Sequence, residues 1–137
     1  MKVVALVLIS FILIGAGTAH GKTYLLKTEM SGEFAFIGVD GTKNPTLEVY
    51  EGEVVELIIE NGDGTPHVLS IPELAVKSAR VDTVGERTII KFVAKKGAFP
   101  YFCPLPGHRR LGMEGKILCL HKEAKRRPAR LLKRTTG

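Results

Sequence analysis

Cysteine is almost absent from this chain of 137 residues: Cys103 and Cys119 are the only two. A framework of several disulfides is therefore excluded, and one pairing at most is available. Histidine is nearly as scarce, at four positions: His20, His67, His108 and His121. Any imidazole site must be drawn from that short list. No internal repeat is visible, and no segment has convincing amphipathic helical periodicity. The body of the chain also lacks net charge. The formal charge of +6 is concentrated at the C-terminus, where residues 122–137 hold seven basic residues against the single acid Glu123. Between His20 and His121, twelve Lys and Arg face thirteen Asp and Glu. A nearly neutral body gives no reason to expect nucleic-acid binding.

Only one long hydrophobic run is present, and it stands at the start. Met1 and Lys2 precede residues 3–14 (VVALVLISFILI), and the small residues Gly15 to Ala19 follow. A short positive start, an apolar stretch and a small-residue end read as a secretory signal, with the cut after Ala19. The alternative is an uncleaved anchor, since the 17 uncharged residues from Val3 to Ala19 reach the lower limit for spanning a bilayer. On either reading the domain is exported: periplasmic, extracellular or on the outer face of the cytoplasmic membrane. The expected organisation is a signal segment over 1–19, one domain over 20–121 and a basic tail over 122–137. The tail reads as solvated and disordered, or as a weak contact for an acidic partner or an anionic membrane surface.

Between these ends, short runs rich in β-branched and aromatic residues alternate with turn signals. Strands are expected at 23–30, 34–39, 46–50, 53–60, 67–71, 87–93, 98–103 and 115–120. In 53–60, Val55, Leu57 and Ile59 share one face, opposite Glu56 and Glu60, which is strand periodicity. Turns are marked by Asp40-Gly41, by Asn61 to Gly64, by Val84-Gly85 and by Lys96-Gly97. Many short strands at this spacing predict an all-β sandwich or barrel. Residues 71–82 are left open among a strand, a helical turn and an irregular excursion. Cys119, in the run Ile117 to Leu120, reads as a small buried hydrophobe.

The chemistry is concentrated in 98–115, AFPYFCPLPGHRRLGMEG. Four residues separate Cys103 from His108, and four more separate His108 from Met113. Thiolate and thioether favour the cuprous ion, imidazole serves both oxidation states, and two His, one Cys and a weak axial Met form the blue electron-transfer site. The second histidine must come from an earlier strand. His67 is the candidate by elimination: His20 lies at the expected new N-terminus and His121 at the edge of the tail. The candidate metal ligands are thus His67, Cys103, His108 and Met113, and the metal is one copper ion. The competing reading is a metal-free sandwich in which Cys103 and Met113 only pack.

The Cys-Pro-Leu-Pro-Gly-His run with Gly112-Met113 resembles the ligand loop of the cupredoxins, and its spacing is similar to rusticyanin-like and sulfocyanin-like members. Asn44 to Val49, Glu51 to Glu53 and the approach from Asn61 to His67 extend the resemblance over about 34–120. It implies a Greek-key β-sandwich, a type 1 copper and single-electron transfer rather than enzyme turnover. It also implies redox partners (a cytochrome, an oxidase or a reductase) docking transiently near His108. A copper carrier or store using the same ligands is the rival. A binuclear copper centre would require two cysteines in one loop, and nitrite chemistry would require further histidines. Two departures stand out. Relatives often carry, directly after the first histidine, a polar residue able to hydrogen-bond around the cysteine sulfur, where this chain has Val68, and Pro104 removes one backbone donor near that sulfur. Arg109 and Arg110 place two charges beside His108.

Overall fold

Alternation decides which residues make the core. In Val54–Glu60, Val55, Leu57 and Ile59 turn to one side and lose all solvent exposure, while the residues between them face outward. The computed structural model describes residues 21–123, and nine strands are found there. They are β1 (Lys22–Met30), β2 (Phe34–Ile37), β3 (Thr46–Tyr50), β4 (Val54–Glu60), β5 (Ser70–Ile71), β6 (Val76–Lys77), β7 (Arg87–Val93), β8 (Gly97–Phe102) and β9 (Glu114–Leu120). One sheet has the order β2-β1-β4-β7, the other β3-β9-β8-β5-β6. Both are mixed, because β1 runs parallel to β4 and β3 parallel to β9. The expected sandwich is therefore observed.

Between the sheets, Leu26, Phe36, Leu57 and Phe92 meet Leu47, Val49, Tyr101 and Ile117. Each such side chain contributes roughly 1.5–3 kcal/mol by leaving water. Cys119 is buried among them and unpaired, as expected. Tyr101, the largest fully buried side chain, donates its hydroxyl to the Pro45 carbonyl at 2.6 Å. Gly115, opposite it on β9, leaves room for the ring: a Cβ there would lie 2.2 Å from the tyrosine oxygen.

The expected strand at 67–71 is a correction. Only Ser70 and Ile71 join a sheet, while His67 forms an isolated bridge with Val81, its amide and carbonyl bonded at 2.9 and 3.0 Å. Proline on each side, Pro66 and Pro72, removes backbone donors at both limits. Leu69 bonds to the Ser78 hydroxyl instead of to a neighbouring strand. The open stretch after Ile71 resolves into a 3-10 turn over Pro72–Leu74, ended by Ala75 in the left-handed region, and then β6.

The sandwich has two distinct ends. β1 and β4 run towards one of them, where β8 also finishes and β9 begins. At the other, Glu51 and Gly52 bond to Leu120 and Ala94, close to where β1 starts. Among the described residues no helix is long and apolar enough to cross a membrane. The segment 1–19 and nearly all of the basic tail lie outside the described residues.

Candidate metal centre

Pairing of β8 with β9 brings the two ends of the 103–113 loop together. The Cys103 amide bonds to the Met113 carbonyl at 3.1 Å, and the Met113 amide to the His108 carbonyl at 3.0 Å. Between them Leu105 to Leu111 fold into successive turns, closed by bonds from His108 to Leu105 and from Leu111 to Gly107. His67 comes from the segment just before β5, which flanks β8 on the edge away from β9, and is held by its bridge to Val81. Sγ of Cys103 and one ring nitrogen from each of His67 and His108 lie within 4.8 Å of one another. Among the described residues this is the one such group of His, Cys and carboxylate side chains. Met113 is fully buried, and its backbone bonds tie it to both Cys103 and His108. Its sulfur is the soft donor the sequence assigned to the axial position.

The two histidines differ. His67 is completely buried, whereas His108 keeps partial contact with solvent, bordered by exposed Pro106 and Leu111 and half-buried Leu105. Nδ1 of His108 stands 3.4 Å from the Cys103 sulfur. Phe34 of β2 stacks on the His108 ring, with centroids 4.1 Å apart and planes 19° from parallel, and fixes its orientation. Burial lowers the His108 pKa, and the neighbouring His67 lowers it further, partly offset by Asp63. A neutral imidazole with a free lone pair is the form a metal requires.

The two ring nitrogens of His67 have opposite surroundings. Its Nε2 lies 3.0 and 2.9 Å from the two carboxylate oxygens of Asp63, so that nitrogen carries the proton and donates. Its Nδ1 is buried with no hydrogen-bond partner at all. A bare buried acceptor is costly, and a metal ion held also by Cys103 and His108 would remove that cost. The carboxylate itself is well held. Burial pushes its pKa up, but hydrogen bonds from the Thr65 hydroxyl and amide and from His67 outweigh this and leave it lowered.

At the sulfur, burial raises the Cys103 pKa, and hydrogen bonds from the backbone amides of Val68 and Leu105 oppose it. The sequence suggested a donor-poor sulfur because Val68 has no polar side chain and Pro104 no amide. The backbone supplies two donors regardless. The two charges expected beside His108 are present, and they differ in their surroundings. Arg109 lies over the Phe102 ring, 3.9 Å from its centroid, and pairs with Glu114, whereas exposed Arg110 has no such partner among the described residues.

The loop is latched to β2. Asn44 donates its side-chain amide to the Gly112 carbonyl at 2.8 Å and accepts from the Phe36 amide at 3.0 Å. It does so from a left-handed backbone, φ 46°. Gly112, itself at φ 106°, sits with its Cβ position 3.3 Å from the Phe34 carbonyl oxygen. The structure places His67, Cys103 and His108 side by side, the grouping expected from the sequence, and adds Asp63, Phe34 and Asn44, which sequence reasoning did not name at this site. Asp63 was read as a turn residue in Asn61 to Gly64, which it also is.

No family model matches the chain, and no curated protein matches it. Solved structures do. It is similar to a copper nitrite reductase from Nitrosomonas europaea at 22% identity, with a TM-score of 0.64 over 80% of this chain and 45% of that one. It is similar to rusticyanin from Thiobacillus ferrooxidans at 22% identity, with a TM-score of 0.56 over 73% of this chain and 77% of that one. A blue copper oxidase from Nitrosomonas europaea follows at 18% identity, with a TM-score of 0.59 over 75% and 40% of the two chains. The chain thus spans less than half of either enzyme chain and about three quarters of rusticyanin. The fold is that of the cupredoxins. Within that fold, the chain carries its His-Cys-His cluster and the buried Met113 at one end of a single sandwich.

Proposed function

We propose that this protein binds one type 1 copper ion through His67, Cys103, His108 and Met113, and carries single electrons between redox partners. The observation that carries the reading is the orphaned, buried Nδ1 of His67, held beside Cys103 and His108. Copper in such a set cycles between Cu(II) and Cu(I), because thiolate and thioether suit one state and imidazole both. The protein's part is to hold the donors still. Cys103, His108 and Met113 are tied to one another by backbone hydrogen bonds, and His67 is pinned by Asp63 and its bridge to Val81. Little then has to rearrange when the charge changes.

Four protein donors leave no evident position for a substrate, which favours electron transfer over turnover. His108 is the ring nearest solvent, and Pro106 and Leu111 give it an apolar surround. A small patch of this kind suits brief encounters with a cytochrome, oxidase or reductase. An exported location, as the N-terminal sequence suggests, agrees with such a role. The test is the visible spectrum of the copper-loaded protein, followed by stopped-flow exchange with an artificial donor. An intense thiolate-to-copper band towards the red, and rapid bleaching on reduction, are expected. Copper bound without that band would overturn the type 1 assignment, and a band that bleaches only slowly would favour a carrier or store.

A further inference from the structure

We propose that Asp63 is a positioning residue that sets the redox balance of the centre, by clamping His67 and placing a negative charge against that ligand. The inference rests on the copper reading above. Both carboxylate oxygens lie within 3.0 Å of Nε2 of His67, a ring with no solvent exposure. The carboxylate side chain is itself only 10% exposed, so its charge is poorly screened by water. Its own support is local and dense. Asp63 Oδ1 accepts from the Thr65 amide at 2.7 Å and from the Thr65 hydroxyl, while Asn61 Oδ1 accepts from the amides of Asp63 and Gly64 at 3.1 and 2.7 Å. The Asn61 side-chain amide in turn donates to the carbonyls of Thr65 and Val81, the residue that bridges to His67. The carboxylate is thus presented to the imidazole by a loop whose polar groups are satisfied.

Two consequences follow. The ring cannot turn over, because doing so would break the hydrogen bond to Asp63 and bring the bare nitrogen against the carboxylate, so Nδ1 stays directed at Cys103 and His108. A carboxylate on the far nitrogen also makes the imidazole a stronger donor. A fixed negative charge stabilises the divalent ion more than the monovalent one, so Asp63 favours oxidised copper. The alternative is that Asp63 serves only the turn, through its bonds to Thr65.

The two roles separate in Asp63→Asn and Thr65→Val. The first removes the charge and keeps an acceptor of the same shape; the second removes a turn hydrogen bond and leaves the carboxylate on His67. Potentials are read by spectroelectrochemical titration of the copper-loaded proteins. Asp63→Asn is expected to keep the red-region band and to lose about tenfold in its preference for Cu(II) over Cu(I), a rise of ~59 mV for one electron, with Thr65→Val unmoved. An unchanged potential in Asp63→Asn, or equal shifts in both variants, overturns the proposal. Should Asp63→Asn fail to fold, the unaltered protein decides by proton NMR. A slowly exchanging, downfield Nε2–H of His67 supports the clamp, and its absence overturns it. If the unaltered protein develops no band with copper, the functional reading fails and this inference with it; a band with an unmoved potential removes this inference alone.

Discussion

Cys103 is a thiol whose burial works against the thiolate a metal needs. Its pKa is raised by that burial, and only the amides of Val68 and Leu105 offset it. A cation is the natural compensation, and its binding must release the thiol proton. Cys103 is one small side chain in a core dominated by larger ones such as Tyr101, Phe36 and Leu57, so Cys103→Ala is expected to abolish the red-region absorption while the sandwich folds. The stability cost should be on the order of 1 kcal/mol for so small a group. Circular dichroism and a copper titration check the two halves separately, and an unfolded variant would contradict the second. Met113 makes a weaker contribution through a soft thioether. Met113→Leu is expected to keep copper and to raise the potential by about 59 mV, a tenfold gain for the reduced ion. Loss of copper, or an unmoved potential, would take Met113 out of the axial position.

Among the elements, β2 has an importance out of proportion to its four residues. It delivers Phe34 to the face of His108, and through Asn44 it is latched to Gly112, the residue before Met113. Asn is one of the few residues that tolerates the left-handed backbone found there. Asn44→Asp retains that tolerance and the acceptor for the Phe36 amide, but loses the donor to Gly112. The expected result is a loss of roughly 0.5–1.5 kcal/mol in urea denaturation, with a copper spectrum shifted by the loosened loop. A stability loss with an unaltered spectrum would show that the latch does not reach the metal ligands. Asn44 was legible in the sequence only as part of a run resembling the cupredoxins. Its bonds to Phe36 and Gly112 join positions 8 and 68 residues away, and no local pattern reports such contacts.

For the whole molecule, polarity is the controlling fact. The cluster lies at the end where β8 finishes and β9 begins, and β9 carries the chain away from it to Leu120. At ~3.3 Å per residue that strand is roughly 20 Å long, so the basic tail leaves the domain about two Debye lengths from the cluster at physiological salt. Deleting residues 122–137 is therefore expected to leave fold and colour intact. Electron exchange with an acidic partner should slow only at ionic strengths near ~0.01 M, where charges are felt over about 30 Å. Rate constants for both proteins measured against ionic strength decide the point. Parallel curves at every salt concentration would remove the tail from partner approach.

What the sequence determined by itself was local or periodic. Alternation placed Val55, Leu57 and Ile59 in the core, because a strand sends successive side chains to opposite faces whatever lies around it. The spacing of Cys103, His108 and Met113 marked three candidate donors on one loop, and scarcity of histidine pointed to His67 as the fourth candidate. Tertiary structure decided the rest. It set His67 on a lone bridge rather than in a strand, turned Val68 and Leu105 amides to the sulfur, and folded Arg109 away onto Phe102 and Glu114. It also made Asp63 more than a turn residue. Each of these depends on which distant segments meet, and hydrogen-bond partners between such segments are chosen by packing, not by neighbours along the chain.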